Sequence, residues 1–241
     1  MAAHSGSPEG ADQTLRVFRS RRETRAFYDR ISRIYDIMAE RSEAPVRAAG
    51  LERLDAKPGE RMLEIGFGTG HCLASMAAAT GREGAVYGID LSEGMLKMTR
   101  GTLRRNKMSG RVGLVCGDAA RLPFRGAVLD GIFMSFTLEL FDNPEIPEVL
   151  AECRRVLRPG GRIAVVGMSK EGQGSRLVRA YEWTHRRFPS LVDCRPVFVR
   201  RSLEAAGFRI LSSEMRKMWI PVEIVLAAQI GADRGRTNTT I

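Results

Sequence analysis

Two carboxylates and three glycines within one stretch of the chain carry its clearest chemical signal. Residues 61–97 read RMLEIGFGTGHCLASMAAATGREGAVYGIDLSEGMLK. Glu64 stands in a short apolar run, Gly66, Gly68 and Gly70 follow at alternate positions, and Asp90 lies 20 residues beyond Gly70, closing a second apolar run, Ala85 to Ile89. Glycines so spaced let the backbone turn sharply and approach a ligand where a side chain would block it. An acid at that distance falls at the carboxyl end of the next parallel strand, within reach of a ribose. The pattern describes a nucleotide-type site.

A dinucleotide loop places its glycines as G-x-G-x-x-G, yet the third such position counted from Gly66 is His71. The loop is G-x-G-x-G, preceded by Glu64 and without the lysine and serine of a P-loop. A carboxylate beside the loop suits a positively charged ligand, and S-adenosyl-L-methionine carries a sulfonium, an ammonium and a ribose but no phosphate. These residues resemble the class I S-adenosylmethionine-dependent methyltransferases, whose first motif has the form E-x-G-x-G-x-G. The resemblance runs from about Phe27 to Ala227. It is closest in pattern to the ubiquinone/menaquinone-biosynthesis group, through FYDRISRIYD at residues 27–36, DLSEGML at 90–96 and LRPGG at 157–161.

The resemblance implies an α/β, Rossmann-like sheet of seven strands, mostly parallel with the last strand antiparallel, with helices on both faces and a small helical cap. It implies that Glu64, Gly66, Gly68 and Gly70 hold the methionine part of the cofactor, Asp90 the ribose and Asp118 the adenine amino group, with Met95 placed against the adenine; a helix N-cap is the other reading of Asp118, and core packing that of Met95. Phe67, Leu91, Ala119 and Ser135 are counted with them. It also implies an N-terminal segment folded over the cofactor, which makes Tyr28 and Tyr35 candidates for contact with cofactor or acceptor. Core packing is the other reading of both tyrosines.

Methyl transfer from a sulfonium is a direct displacement, so alignment of the reactants matters more than any one reactive side chain. A base is needed only when the acceptor atom is protonated. The end of the fourth strand, Ser135 to Phe141, lines the reacting side in this fold. It lacks the [N/D/S]-P-P-[Y/F] motif of base amino-methyltransferases, and it has Glu139-Leu140 where the quinone enzymes carry Arg-Asn. Glu139 reads either as a carboxylate that steers an amine or acts as base, or as a solvent-facing residue on a short helix. His185, in EWTHRRFP, reads either as a base for a hydroxyl or enol or as a surface residue. Tyr28 completes the catalytic candidates. A small apolar or amphiphilic acceptor is expected; quinone-pathway C-methylation, amine or phospholipid N-methylation and, last, RNA methylation are the alternatives.

The elements that must position these groups follow from periodicity and punctuation. Residues 1–23 form a basic arm, and residues 24–230 the methyltransferase domain, which opens with helices at Thr24 to Glu40 and about Ala44 to Leu54. Strands are expected at 62–65, 85–89, 112–116, 129–135 and 162–168, with a helix from Glu93 capped by Ser92. A cap insertion at 170–196 holds a helix from Ser175 to Arg187. A helix at 197–206 and strands at about 208–214 and 217–227 precede a loose tail, 231–241. With 44% hydrophobic and 27% charged residues the 241-residue chain has an ordinary globular composition. Its four cysteines are widely separated, so no metal site is expected. The absence of a signal-peptide pattern points to the cytoplasm. The net charge of +10, with Arg16, Arg19, Arg21, Arg22 and Arg25 close together, allows the arm to touch an anionic membrane surface, without a clear nucleic-acid signature.

Overall fold

The apolar runs pair into one sheet. A computed structural model describes residues 21–171, 195–218 and 220–231, with the backbone alone for residues 21 and 30–41. Its elements are α1 (Arg21–Leu54), β1 (Arg61–Ile65), α2 (His71–Thr80), β2 (Ala85–Asp90), α3 (Glu93–Arg105), β3 (Val112–Cys116), β4 (Leu129–Ser135), one tight helical turn (Leu138–Leu140), α4 (Glu145–Val156), β5 (Leu157–Met168), α5 (Val199–Ala205), β6 (Phe208–Lys217) and β7 (Pro221–Gln229). The strand order is β3-β2-β1-β4-β5-β7-β6. β1 to β5 are parallel to their neighbours, and β7 runs antiparallel between β5 and β6. This is the seven-stranded Rossmann-like arrangement that the resemblance implies.

Alternation along the strands divides the core in two. Met62, Val86, Phe133 and Val166 pack with residues of α1, α2 and α3 on one face, while Leu63, Ile65, Ile132 and Val165 pack with α4 and α5 on the other. β4 is buried from Leu129 through Met134, as a central strand covered on both faces must be. The chain steps from β1 outward to β2 and β3, then returns to β4 on β1's other side. That reversal opens a crevice at the carboxyl ends of β1 and β4.

Three boundaries differ from the sequence-based expectation. The two expected N-terminal helices are one helix of 34 residues with Pro45 inside it. An internal proline forfeits a hydrogen bond and crowds the preceding turn, at about 3 kcal/mol, and docking at both ends of α1 offsets this. Near its start, Asp29 accepts hydrogen bonds from Ser92 Oγ at 2.5 Å and from the Gly94 N–H at 2.8 Å, and Arg25 pairs with Glu93. Towards its end, Val46 and Leu54 are buried, and a Cβ at Gly50 would come within 2.4 Å of Val166 Cγ2, so the helix lies directly on the sheet. Arg162 closes its C-terminus by donating to the carbonyls of Leu54 and Asp55 at 2.6 and 2.7 Å while gripping Glu60.

β5 begins at Leu157 rather than Arg162, because LRPGG forms an irregularity within the strand: Leu157 pairs with Leu129, and Arg162 pairs next with Gly131. Lys217 belongs to β6, opposite Pro221, since the hairpin reverses between them rather than before Lys217. The expected cap helix, Ser175 to Arg187, and with it His185, lies outside the described residues, as does the side chain of Tyr35.

Candidate active site

The crevice holds a cavity lined by the ends of β1, β2 and β4, the glycine loop, and α1 from above. Of the residues singled out from sequence, Tyr28, Glu64, Gly66, Phe67, Gly68, Asp90, Leu91, Met95, Asp118, Ala119 and Ser135 all line it. Two expectations are corrected. Gly70 does not face the cavity; its φ of 83° starts α2, and a Cβ there would meet Thr99 Cγ2 at 2.6 Å, so it serves the packing of α2 on α3. Glu139 is neither solvent-facing nor turned towards an acceptor. It is fully buried, its Oε1 accepting from the Met168 N–H at 3.1 Å, because the tight turn presents Leu140 to the cavity and carries Glu139 inward against β5. Burial pushes its carboxyl up to about 7.

The glycine loop is shaped by close approach. Gly66 has a φ of 70°, and a Cβ there would lie 2.3 Å from Thr137 Oγ1, so only glycine lets β1 turn against the end of β4. Asp90 is already oriented: Oδ2 accepts from the Gly68 N–H at 3.1 Å and Oδ1 from the Ser92 N–H at 2.9 Å. Burial raises it to about 6, against the pull of those two donors, with Asp29 adding to the rise. Ser92 Oγ accepts from the Met95 N–H at 3.1 Å and so caps α3, fixing Met95 at the wall. Asp118 accepts from the Ala120 N–H at 2.9 Å, two residues on, a local turn that aims the carboxylate at the cavity's edge.

Glu64 is the most constrained charge. It is 3% exposed, and its Oε2 has no hydrogen-bond partner among the described residues. Burial drives its carboxyl well above the usual range; Arg47 opposes the rise and Asp90 adds to it. A buried carboxylate oxygen left in this way is costly unless a donor or cation meets it. A ligand ammonium answers that need, and Asp90 stands ready for a pair of hydroxyls. The residues therefore fit S-adenosylmethionine.

Beside these polar groups lies an apolar wall: Tyr28 from α1, Phe136, Leu140 and Phe141. Phe136 has a φ of 49°, a left-handed conformation that a bulky residue rarely adopts, and its N–H donates to the Val166 carbonyl at 2.8 Å. Sequence reading missed several lining residues, among them Glu43, Arg47, His71, Cys72 and Glu145. Glu43 and Arg47 sit one helical turn apart, a spacing visible in the sequence, but they reach the cavity only because α1 is continuous.

Comparison with known proteins agrees with this geometry. Residues 62–161 match the methyltransferase domain family. A demethylmenaquinone methyltransferase of Symbiobacterium thermophilum is 29% identical over 228 residues, 90% of this chain and 84% of that protein. Residues 62–161 thus form a methyltransferase domain of the class I S-adenosylmethionine-dependent kind. A ubiquinone/menaquinone biosynthesis C-methyltransferase, UbiE, of Teredinibacter turnerae is 35% identical over 157 residues, 61% of this chain and 60% of the relative. Among solved structures, the [4+2]-cyclase SpnF superposes with a TM-score of 0.74 at 19% identity, covering 91% of this methyltransferase and all of that chain, which is a likeness of fold.

Proposed function

We propose that this methyltransferase methylates a small apolar or amphiphilic molecule. The observation that carries the reading is the apposition of two unlike surfaces: Glu64, the Gly66 to Gly68 turn and Asp90 on one side, and Tyr28, Phe136, Leu140 and Phe141 on the other. Bound S-adenosylmethionine supplies an electrophilic methyl group on a sulfonium. The chain's own residues bind and orient. Glu64 takes the ammonium, Asp90 the ribose hydroxyls and Asp118 the adenine amino group, with Met95 packed against the ring. Apolar contact with Tyr28, Phe136, Leu140 and Phe141 holds the acceptor and keeps water from the reacting atoms, so that positioning supplies a large part of the rate. Glu139, turned away from the cavity, is left no part in deprotonation or in steering an amine.

Quinol-type acceptors are the narrower form of this reading, supported by the names of the relatives and by the shared N-terminal segment. With Glu139 turned inward, Leu140 presents an apolar face where those enzymes carry a polar pair. The described residues include no helix long and apolar enough to cross a membrane; a peripheral contact of the basic arm with anionic lipid would bring the protein to such acceptors. The test is transfer of labelled methyl from S-adenosylmethionine to a cell extract and to a panel of demethylated quinols and phenols, with products partitioned between organic solvent and water. Label in the organic phase, resistant to nuclease, supports the reading. Label confined to RNA or to water-soluble amines overturns it.

A further inference from the structure

Outside the cavity, charge is one-sided on α3 and the turn that follows it. Residues 94–117 carry six cations and no acid, against a net charge of +10 for the whole chain. Two of the six are spent inside the fold: Arg111 donates to the carbonyls of Ala77 and Gly81 at the end of α2, and Arg105 donates to Thr102 Oγ1 at 3.1 Å. The other four, Lys97, Arg100, Arg104 and Lys107, are exposed and enter no ion pair among the described residues.

Helical spacing brings these side chains together. Lys97, Arg100 and Arg104 fall at i, i+3 and i+7, a stripe on the outer face of α3, whose inner face buries Met95, Thr99, Thr102 and Leu103. Lys107 follows just past the end of the helix. The stripe begins at the cavity's rim: Leu91 and Met95 line the cavity, as do Thr24 and Tyr28 of α1, and Asp29 fastens that part of α1 to Ser92 and Gly94. The acids at this junction are occupied, Glu93 by Arg25 and Asp29 by its two hydrogen bonds, with the fields of Arg25 and Lys97 lowering its carboxyl. A solvated helix face ordinarily interleaves charges of both signs. This one does not, and like charges on one helix face repel, so an anionic surface outside the molecule is what answers them.

We propose that the outer face of α3 docks on an anionic lipid surface, with Lys97, Arg100, Arg104 and Lys107 against the headgroup phosphates and the cavity's rim held at the bilayer. Lipid suits the stripe better than nucleic acid does. Residues 94–117 include no aromatic side chain on which a base could stack, and the cavity next to the stripe has an apolar wall of Tyr28, Phe136, Leu140 and Phe141. An apolar or amphiphilic acceptor partitions into a bilayer, so docking there brings the cavity to the phase that holds its acceptor. The use assigned to this surface rests on the acceptor reading above; the docking itself does not. The surface is also separate from the basic arm, because its cations belong to a folded element packed on β2 and β3, at one end of the sheet.

The test is co-sedimentation of the full chain with vesicles of phosphatidylcholine alone and of phosphatidylcholine mixed equally with phosphatidylglycerol. The wild type should bind the anionic vesicles only, and added salt should release it. Arg100→Gln combined with Arg104→Gln should weaken that binding by roughly 30-fold. Arg209→Gln combined with Lys217→Gln removes the same charge from β6, at the far end of the sheet, and should change binding by less than about threefold. Both double variants should bind S-adenosylmethionine as the wild type does, since none of the four residues lines the cavity. A wild type that ignores anionic vesicles overturns the proposal, as does an α3 variant that binds them undiminished. Equal loss in the two double variants overturns it in favour of net charge, and a loss confined to RNA binding overturns it in favour of nucleic acid. Lipid binding through the stripe, together with methyl label found only in water-soluble products, overturns the acceptor reading and leaves the docking surface in place.

Discussion

Cofactor binding should expel protons, in an amount that depends on pH and can be assigned to two residues. In the free protein, burial holds Glu64 well above the usual carboxylate range and Asp90 at about 6. An ammonium against Glu64 and hydroxyls donating to Asp90 both favour the ionised forms, so both groups release protons on binding. Near pH 6 Asp90 is half protonated, and it alone should release about half a proton; at each unit below that, its contribution weakens the apparent affinity about tenfold. Glu64, which burial holds well above the usual carboxylate range, should add a release of its own. Titration of S-adenosylmethionine in phosphate and in Tris, whose ionisation heats differ widely, measures the protons released. Glu64→Gln should remove the share that Glu64 contributes. Asp90→Asn should remove its share near pH 6 and also lower Glu64, whose carboxyl the Asp90 charge raises. Heats that are independent of buffer, together with an affinity that is flat from about pH 8 to pH 5, would refute the charge assignment at both residues.

Other predictions concern stability and the covering helix. Asp90 at about 6 and Glu139 at about 7 lie above their unfolded values of 3.8 and 4.5, so the native state binds more protons in that window. Each should destabilise the ligand-free protein by up to about 3 kcal/mol above its folded pKa and not at all below its unfolded pKa. The Tm of the ligand-free protein should therefore rise as the pH falls from about 7.5 to 5, and Glu139→Gln should flatten part of that rise; a Tm that falls over this range contradicts the burial argument. Asp29→Ala removes the hydrogen bonds to Ser92 and Gly94, which should cost about 1 kcal/mol as a lost cap. It should also speed cofactor release in stopped-flow chase and lower the pH at which affinity declines, because Asp29 raises Asp90. Gly66→Ala and Gly68→Ala should separate folding from binding. The first meets Thr137 and should unfold several degrees lower. The second, at a φ of 49° with nothing within 4 Å of its Cβ, should cost only about 1 to 2 kcal/mol yet block the cofactor in an equilibrium binding assay.

The glycine loop and the acids that flank it were legible because local geometry imposes residue types at fixed spacing. A sharp turn demands Gly66, and a helix that starts at Glu93 demands a cap such as Ser92. Those requirements are local, so they survive in one dimension. What was not legible depends on contacts between distant segments. Pro45 signals a helix boundary by every local rule, and only the docking of α1 on Ser92 and Gly94 at one end and on the sheet at the other overrides it. Arg47 and Glu43 were lost with that boundary. Glu139 was misdirected for a different reason: one residue in a tight turn decides whether a side chain faces the cavity or β5, and no periodicity fixes that choice.

The wall proposed to hold the acceptor is set by backbone rather than by motif. Phe136 holds a left-handed conformation at a cost of about 1 to 3 kcal/mol, which persists only where surrounding bonds determine it. Those bonds come from behind the turn: Val166 accepts from the Phe136 N–H, Glu139 takes the Met168 N–H, and fully buried Arg195 donates to the Phe141 carbonyl at 2.5 Å. Each fastens residues 136–141 to β5 or to the chain just before α5, while Phe136, Leu140 and Phe141 point forward into the cavity. A substitution at any of the rear contacts would reshape the acceptor wall without touching an acceptor. One fold can serve unlike reactions, as the likeness of fold to a cyclase illustrates, so the wall beside the cofactor loop and not the sheet must decide what is bound there.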